Sequence, residues 1–265
     1  MGVKLSINES IYEIASKPLI TIDINEYVSN AVNFMYDRGI RRLAVKQGDQ
    51  IVGIFNLVSL LKILLEGSNP ANLTLSSIEL ESPIYVSKTT PIKEAIEIMN
   101  KKDITSVLVG DPEKIYGILT THDIIYIISS IRSEVVVQDI LGRDYPVLDI
   151  NESKVVDAVD NIVNKNKSGV LVVNKNNYVG IITMRDIIKV YSDMGMEGLE
   201  VNLIDLSIDE GAYGSVGLSL SDIASIMYNK GSDVIAIFCS HKLCGGIDDL
   251  ILTKHFNKII EGYLF

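Results

Sequence analysis

The chain is poor in the residues that mark secreted, membrane-spanning or nucleic-acid-coating proteins. Only two cysteines occur in 265 residues, Cys239 and Cys244, so no disulfide framework is expected. No apolar run approaches the roughly 18 residues of a membrane span, and the start Met1-Gly2-Val3-Lys4-Leu5-Ser6 has no signal-peptide core. Gly2 and Ser6 formally fit a myristoylation pattern, but the match is too short to outweigh a plain N-terminus. Basic residues number 24 against 34 acidic ones, a formal charge of −10. General nucleic-acid binding draws its affinity from Lys and Arg neutralising phosphates, so it is not expected, although a local basic pocket for one small anion is compatible with the balance. The three histidines, His122, His241 and His255, are dispersed, and no hydrolytic constellation forms around them. What the chain has is core-forming material: 47% of it is hydrophobic and 22% charged. A globular, cytoplasmic, non-membrane protein is the expectation.

Length alone suggests about two domains, but the sequence repeats more finely. An apolar-Gly-Ile element recurs as Val52-Gly53-Ile54, Tyr116-Gly117-Ile118, Val179-Gly180-Ile181 and Gly245-Gly246-Ile247. Gly53, Gly117, Gly180 and Gly246 stand 64, 63 and 66 residues apart. A near-constant period means four small units, none with enough core to stand alone.

Unit two shows the pattern most clearly. Ser82-Pro83-Ile84-Tyr85-Val86 reads as a strand opened by proline. A helix follows, with Thr90 as its cap, Pro91 in its first position, and Ile92, Ala95, Ile96 and Met99 on one face. Ser106–Val109 and Lys114–Leu119 form a hairpin around Gly110-Asp111-Pro112, and Thr121–Ile128 closes the unit as a helix. Unit four has the weakest first strand, expected within the Gly-rich stretch 211–217, which lacks the lysine of a phosphate-binding loop. The apolar strands do not alternate cleanly, as expected when both faces of a sheet are covered and sheet packs against sheet. Linkers fall at 66–72 and 193–198 by composition, and Ser130–Glu134 separates units two and three.

Two stretches share a longer motif: Gly117-Ile118-Leu119-Thr120-Thr121-His122-Asp123-Ile124 and Gly180-Ile181-Ile182-Thr183-Met184-Arg185-Asp186-Ile187. Unit one adds Gly39-Ile40-Arg41-Arg42-Leu43-Ala44-Val45. With the sixty-residue period, these make the chain resemble a protein of four tandem cystathionine-β-synthase (CBS) domains. The resemblance implies an α/β (α+β) fold of four CBS repeats paired by pseudo-twofold symmetry into two Bateman modules. The first would cover 1–133, with repeats at about 11–67 and 75–131. The second would cover 134–265, with repeats at about 137–193 and 203–262. It also implies that the modules stack as a disc, within one chain or across a homodimer, and that the clefts take adenosine nucleotides such as AMP, ADP or ATP as regulatory ligands rather than required cofactors.

The residue types explain how. A strand running into a helix N-terminus offers free N–H groups and partial positive charge. Thr120 and Thr183 stand at that junction, and Asp123 and Asp186 follow one turn on, where a carboxylate can accept from ribose hydroxyls. His122 and Arg185 are placed to add phosphate contacts. Arg41 stands where the family reaches phosphates, with a solvated surface pair Arg41-Arg42 as the plainer alternative. Thr105 and Ser168 hold the matching positions in units two and three, beside Ile104 and Lys167, and would line the adenosine side of their own clefts. Pro83-Ile84 and Pro146-Val147 would wall the adenine. Taken without the resemblance, Thr-x-x-Asp reads first as a helix cap and only second as a ligand contact.

Units one and four depart from the motif. Asn56 and Ser59 fill the two positions in unit one, and Asp249 and Leu252 in unit four, so the fourth cleft is expected to be empty or structural. Cys239-Ser240-His241-Lys242-Leu243-Cys244 offers three metal-ligand types where structural zinc needs four, so two buried thiols and no metal are expected. The expectation is a non-enzymatic nucleotide sensor acting on an unidentified protein effector in trans. The rivals are a ligand-free CBS scaffold for protein–protein interaction and, further off, an enzyme acting on nucleotides.

Overall fold

The structure, a computed structural model, describes residues 6–261 and shows the order strand, helix, strand, strand, helix four times. Gly2 and the last residues of unit four lie outside the described part. Unit one comprises β1 (Thr21–Asp23), α1 (Val28–Arg38), β2 (Arg42–Gln47), β3 (Gln50–Asn56) and α2 (Leu57–Leu65). Unit two comprises β4 (Tyr85–Val86), α3 (Ile92–Lys102), β5 (Ser106–Asp111), β6 (Lys114–Thr120) and α4 (Thr121–Ser130). Unit three comprises β7 (Val147–Asp149), α5 (Val155–Asn164), β8 (Gly169–Asn174), β9 (Asn177–Thr183) and α6 (Met184–Met194). Unit four comprises β10 (Ala212–Ser215), α7 (Leu220–Lys230), β11 (Val234–Cys239), β12 (Lys242–Asp248), α8 (Asp249–Lys254) and α9 (Phe256–Glu261). Each sheet has three strands, the first parallel to the second and the second antiparallel to the third. The Gly-rich stretch of unit four does supply its first strand, β10.

Local chemistry sets the element ends. In units one, two and four the first helix closes on a left-handed residue, Gly39 (φ 63°), Asp103 (φ 51°) or Gly231 (φ 60°), and in unit three Asn166 (φ 50°) takes this place. Glycine, Asp and Asn tolerate that conformation best. Pro91, with φ −60° and ψ 146°, is itself the N-cap of α3, so the expected cap at Thr90 moves one residue.

The repeated glycines have a steric cause. A Cβ on Gly117 would come within 2.4 Å of the Ser16 carbonyl oxygen, and one on Gly180 within 2.2 Å of that of Asp209. In both places a segment from outside the unit lies flat on the hairpin. Ser16 and Ile118 exchange backbone hydrogen bonds of 2.9 and 3.1 Å, and Ile181 N–H donates to Asp209 at 3.1 Å. Glu81 pairs with Ile54 in the same way. Units one and two are thereby completed by chain that precedes or follows the other.

Strand pairing also corrects the register of unit four. Gly53, Gly117 and Gly180 pair with Val45, Val109 and Val172, and the residue that pairs with the equivalent Ile237 is Gly245, not Gly246. Asp248 therefore matches Asn56, Thr120 and Thr183, and Ile251 matches Asp123 and Asp186. Asp249 belongs to the next position, beside Leu57, Thr121 and Met184. The adjacent Gly245-Gly246 pair hid the slip; the β-bulge between Ile237 and Phe238 recurs at the equivalent place in the other three hairpins.

Two large cores and two small ones hold the chain together. Small sheet-to-sheet cores lie inside each pair: Ala44, Ile54 and Leu108 in the first, Leu171, Ile181, Val234 and Ala236 with Tyr145 in the second. The large cores cross between pairs. Helices α1 and α2 pack on α5 and α6 through Val32, Leu60, Val159 and Ile188, and α3 and α4 pack on α7, α8 and α9 through Met99, Ile128, Ile223 and Phe256. Each such side chain contributes about 1.5–3 kcal/mol by leaving water. The strands β5, β8 and β11, buried along four consecutive residues, are covered on both faces as the absence of alternation implied. Both pairs thus stack within one chain, with unit one against unit three and unit two against unit four.

The hairpin of unit four carries a correction. Cys239 and Cys244 are joined in a disulfide with Cα atoms 5.8 Å apart, not two buried thiols, and both residues are only half-buried. Cys239 pairs with Lys242, so Cys244 lies two residues along on the same face of β12, within reach of a bridge.

Candidate functional site

The position two residues beyond each left-handed helix end is the key to the site. It holds Arg41, Thr105, Ser168 and Asp233 in the four units. Each opens the second strand, next to the start of a motif helix. The four positions converge where the units meet.

Unit four supplies two buried carboxylates there. Asp233 lies within ion-pair distance of one basic side chain of each other unit: Arg41 Nη1 of unit one at 3.3 Å, His122 Nδ1 of unit two at 3.2 Å and Arg185 Nη2 of unit three at 3.7 Å. Asp249 also touches all three other units, accepting from Arg41 Nη2 at 2.8 Å, the Thr121 hydroxyl at 2.6 Å and the Ser168 hydroxyl. Arg42 donates from Nε to Thr105 Oγ1 at 3.2 Å and from Nη2 to Thr121 Oγ1 at 3.4 Å. Arg41 is 9% exposed, so it is not a solvated surface residue.

Burial and charge set the protonation of this cluster. Burial works against the Arg41 cation, but Asp233 and Asp249 outweigh it and raise its pKa. Burial and then the neighbouring Arg41 charge bring Arg42 down to about 10. Burial resists the Asp233 anion, yet Arg41 and then the His122 hydrogen bond hold its pKa below the usual carboxylate range. Asp248 has no guanidinium partner. Burial, and then the Asp249 charge, push it up to about 6, and the Lys167 charge opposes the rise only weakly.

Against this cluster opens a cavity of about 150 Å³. Its lining joins Pro18, Leu19 and Ile20, the approach to β1, with Ile40, Arg41 and Arg42 of unit one. Unit two adds Ile118, Thr120, His122 and Asp123, Ser16 comes from the crossing segment, and Arg185 reaches in from unit three. An apolar wall, a carboxylate and four basic side chains thus share one cleft. Asp123 Oδ2 accepts from the Thr120 N–H at 2.7 Å and its hydroxyl at 2.9 Å, and Oδ1 accepts from Ser16 at 3.2 Å. Burial raises the Asp123 pKa, while these bonds oppose the rise. The capping geometry is therefore real. Asp186 repeats it with Thr183, at 2.8 and 2.6 Å, but is exposed.

The sequence-derived residues separate by cleft. Arg41, Thr120, His122, Asp123 and Arg185 come together. Ile104 and Thr105 line a different, larger cleft of about 630 Å³, across the pseudo-twofold on the Asn56 and Ser59 side of unit one, amid Glu66, Glu79, Glu81 and Asp103. Ile84 packs on the core of units two and four, and its carbonyl accepts from Leu108. Pro83 is half-buried just before it. The Pro146 carbonyl likewise accepts from Leu171, and Val147 is 45% exposed. Lys167 and Ser168 face unit four. The Lys167 amino group stands 5.8 Å from the Tyr145 ring, and the Ser168 N–H donates to Asp248 at 3.0 Å. Tyr145 packs on Gly246 and donates to Asp248 at 3.4 Å, so the chain's own side chains fill that place.

Pro18, Leu19, Ile20 and Ile40 did not emerge from the sequence. The motif cleft of unit two is walled by the first strand of unit one, not by its own. The usable signal was register: Ile20, Ile84 and Pro146 hold one repeat position, and Leu19, Pro83 and Tyr145 the one before it. Asp233 was missed because it falls outside the motif.

Stacked pairs of three-stranded repeats around a central polar cluster define a four-repeat CBS-type protein. The CBS domain family matches at residues 11–66, 75–130 and 137–193, and the chain belongs to that family. A crystal structure of a Methanocaldococcus jannaschii protein, proposed to be an archaeal homolog of g-AMPK, superposes with a TM-score of 0.81 at 21% identity, over 93% of this chain and 99% of that one. An uncharacterised conserved protein of Pyrococcus horikoshii superposes with a TM-score of 0.64 at 18% identity, over 92% and 98%. Among curated sequences, one uncharacterised M. jannaschii protein is 28% identical over 196 residues, 71% of this chain and 44% of its own length. A second is 30% identical over 146 residues, 54% of this chain and 48% of its own length. The chain thus spans less than half the length of these two curated relatives. Among the described residues no helix is long and apolar enough to cross a membrane, and no group of three or more His, Cys, Asp or Glu is placed to hold a metal ion.

Proposed function

We propose that the chain is a regulatory adenosine-nucleotide-binding protein whose principal ligand lies in the cleft between units one and two. One observation carries this reading. The cavity that places Pro18, Leu19, Ile20 and Ile40 against Asp123 also gathers Arg41, Arg42, His122 and Arg185. An apolar slot suits a base, a carboxylate beside a helix start suits ribose hydroxyls, and clustered guanidinium groups suit phosphate. Asp123 Oδ1 would exchange the Ser16 hydroxyl for a ribose hydroxyl.

The cleft of Thr183 and Asp186 is a weaker second site. Asp209 stands there where Ser16 stands in the first, and Asp233 replaces Arg41, so an anion meets carboxylates. The acidic cleft of unit one suits a phosphate no better.

Because the ligand would touch units one, two and three together, its differential affinity for one arrangement of the pairs is what a partner in trans would sense. The test is a panel of thermal shifts of the whole chain with adenosine, AMP, ATP, NAD and S-adenosylmethionine. A concentration-dependent rise with an adenosine compound supports the sensor. No shift with any of them leaves the ligand-free scaffold.

A further inference from the structure

The fourth unit lacks the ribose-type carboxylate, since Ile251 stands where Asp123 and Asp186 stand, yet its Asp233 touches three of the four basic groups that line the unit-two cleft. We propose that Asp233 is a built-in counter-carboxylate that limits the negative charge the cleft accepts, so that the site selects a nucleoside monophosphate over the di- and triphosphate. The proposal rests on the reading of that cleft as a nucleotide site.

The charges around the cleft nearly cancel. Arg41, Arg42 and Arg185 bring three positive charges, while Asp123, Asp233 and Asp249 bring three negative ones. Arg41 is already held by two carboxylates at 2.8 and 3.3 Å and has little left to offer. Arg42 is engaged by Thr105 and Thr121, so the freest donors are Arg185, whose Nη1 donates to the Gly231 carbonyl at 3.3 Å but whose tie to Asp233 is a long 3.7 Å and whose Nε is buried without a partner, and His122, which is 36% exposed. An incoming phosphate therefore shares Arg185 and His122 with Asp233. One phosphate group can exchange with the carboxylate as acceptor. Each further phosphate adds charge that must sit near Asp233, in a buried setting where like charges repel strongly.

Asp233 reaches the cleft from the other pair of units. Taking His122 from it loosens a tie between the pairs, and taking Arg185 loosens one inside the second pair, while the Asp249 contacts to Arg41, Thr121 and Ser168 stay in place. Asp233 is a positioning and specificity residue, not a ligand contact.

Calorimetric titration of the whole chain with adenosine, AMP, ADP and ATP, beside Asp233→Asn, tests this. The unsubstituted protein should bind AMP more tightly than ADP and ADP more tightly than ATP. In Asp233→Asn the ATP affinity should rise about tenfold relative to that of AMP, within the range measured for close charge pairs, with adenosine unchanged. ATP binding to the unsubstituted protein as tightly as AMP overturns the proposal, whether or not the variant folds. So does a variant in which all four affinities fall by one factor, which marks a structural role. If adenosine and AMP both fail to bind the unsubstituted protein, the nucleotide reading itself falls, and this proposal with it.

Discussion

The Arg41 guanidinium lies 3.3 Å from the Asp233 carboxylate, and the two residues hold the same position in two different repeats. They belong to units one and four, whose sheets and α-helices share neither a sheet-to-sheet core nor one of the large helical cores. A repeat that keeps its backbone while its central side chain changes from Arg to Asp turns pseudo-symmetry into an ion pair.

That pair should be costly to break from one side. Arg41→Ala leaves Asp233 and Asp249 buried without their strongest partner, and about 3–5 kcal/mol of stability should be lost in urea unfolding. Thr105→Ala, which removes one neutral hydroxyl partner of Arg42, should cost about 0.5–1.5 kcal/mol. Equal losses from both would contradict the central role of Arg41.

Stability should peak in mildly acid solution. Asp248 has its folded pKa raised to about 6, so its contribution is full below the unfolded value and is lost as pH rises through about 6. The loss over that window is about 3 kcal/mol, from a shift of about two units. Asp233 works the other way: its folded pKa is depressed, so its stability is present above the unfolded value and lost only as pH falls below it. Thermal melts between pH 4 and pH 8 check the profile. Asp248→Thr, which installs the residue of units two and three, should flatten the fall between pH 4 and pH 6. A wild-type profile that rises over that interval contradicts the assignment.

Much of this was legible in the sequence, for definite reasons. The period of the glycines exposed four units because a crossing segment lies within contact distance of Gly117 and Gly180. The first helices could be read from Ile92, Ala95, Ile96 and Met99 because a helix buries one face. The Thr120–Asp123 cap was legible because both partners are three residues apart. What was not legible depends on distant chain. Ile20 reaches the Thr120 cleft, and Ile104 leaves it, only because the units exchange walls. Asp233 and Asp249 meet Arg41 across about 200 residues of sequence, a relation no local spacing encodes.

The cystine should be detectable and modest in effect. The unfolded chain should titrate no free thiol before reduction, because both cysteines are bridged. The loop is short, so Cys239→Ser with Cys244→Ser should lower stability by about 2 kcal/mol. Two reactive thiols in the unreduced chain would contradict the bridge.

The two Thr-x-x-Asp motifs should differ in binding. Asp186→Ala removes an exposed cap and should leave AMP affinity within a factor of about three, as an exposed contact contributes little. An Asp186→Ala loss as large as that of Asp123→Ala would show that the unit-three cleft carries a full share.

The most direct measurement is a calorimetric titration of AMP into the whole chain and into Asp123→Ala. The account predicts saturable heat for the unsubstituted protein and a loss of about 1.5–3 kcal/mol in binding free energy for the variant, the value of a hydrogen bond to a charged group. AMP binding of equal affinity in both would contradict the placement of the ligand against Asp123.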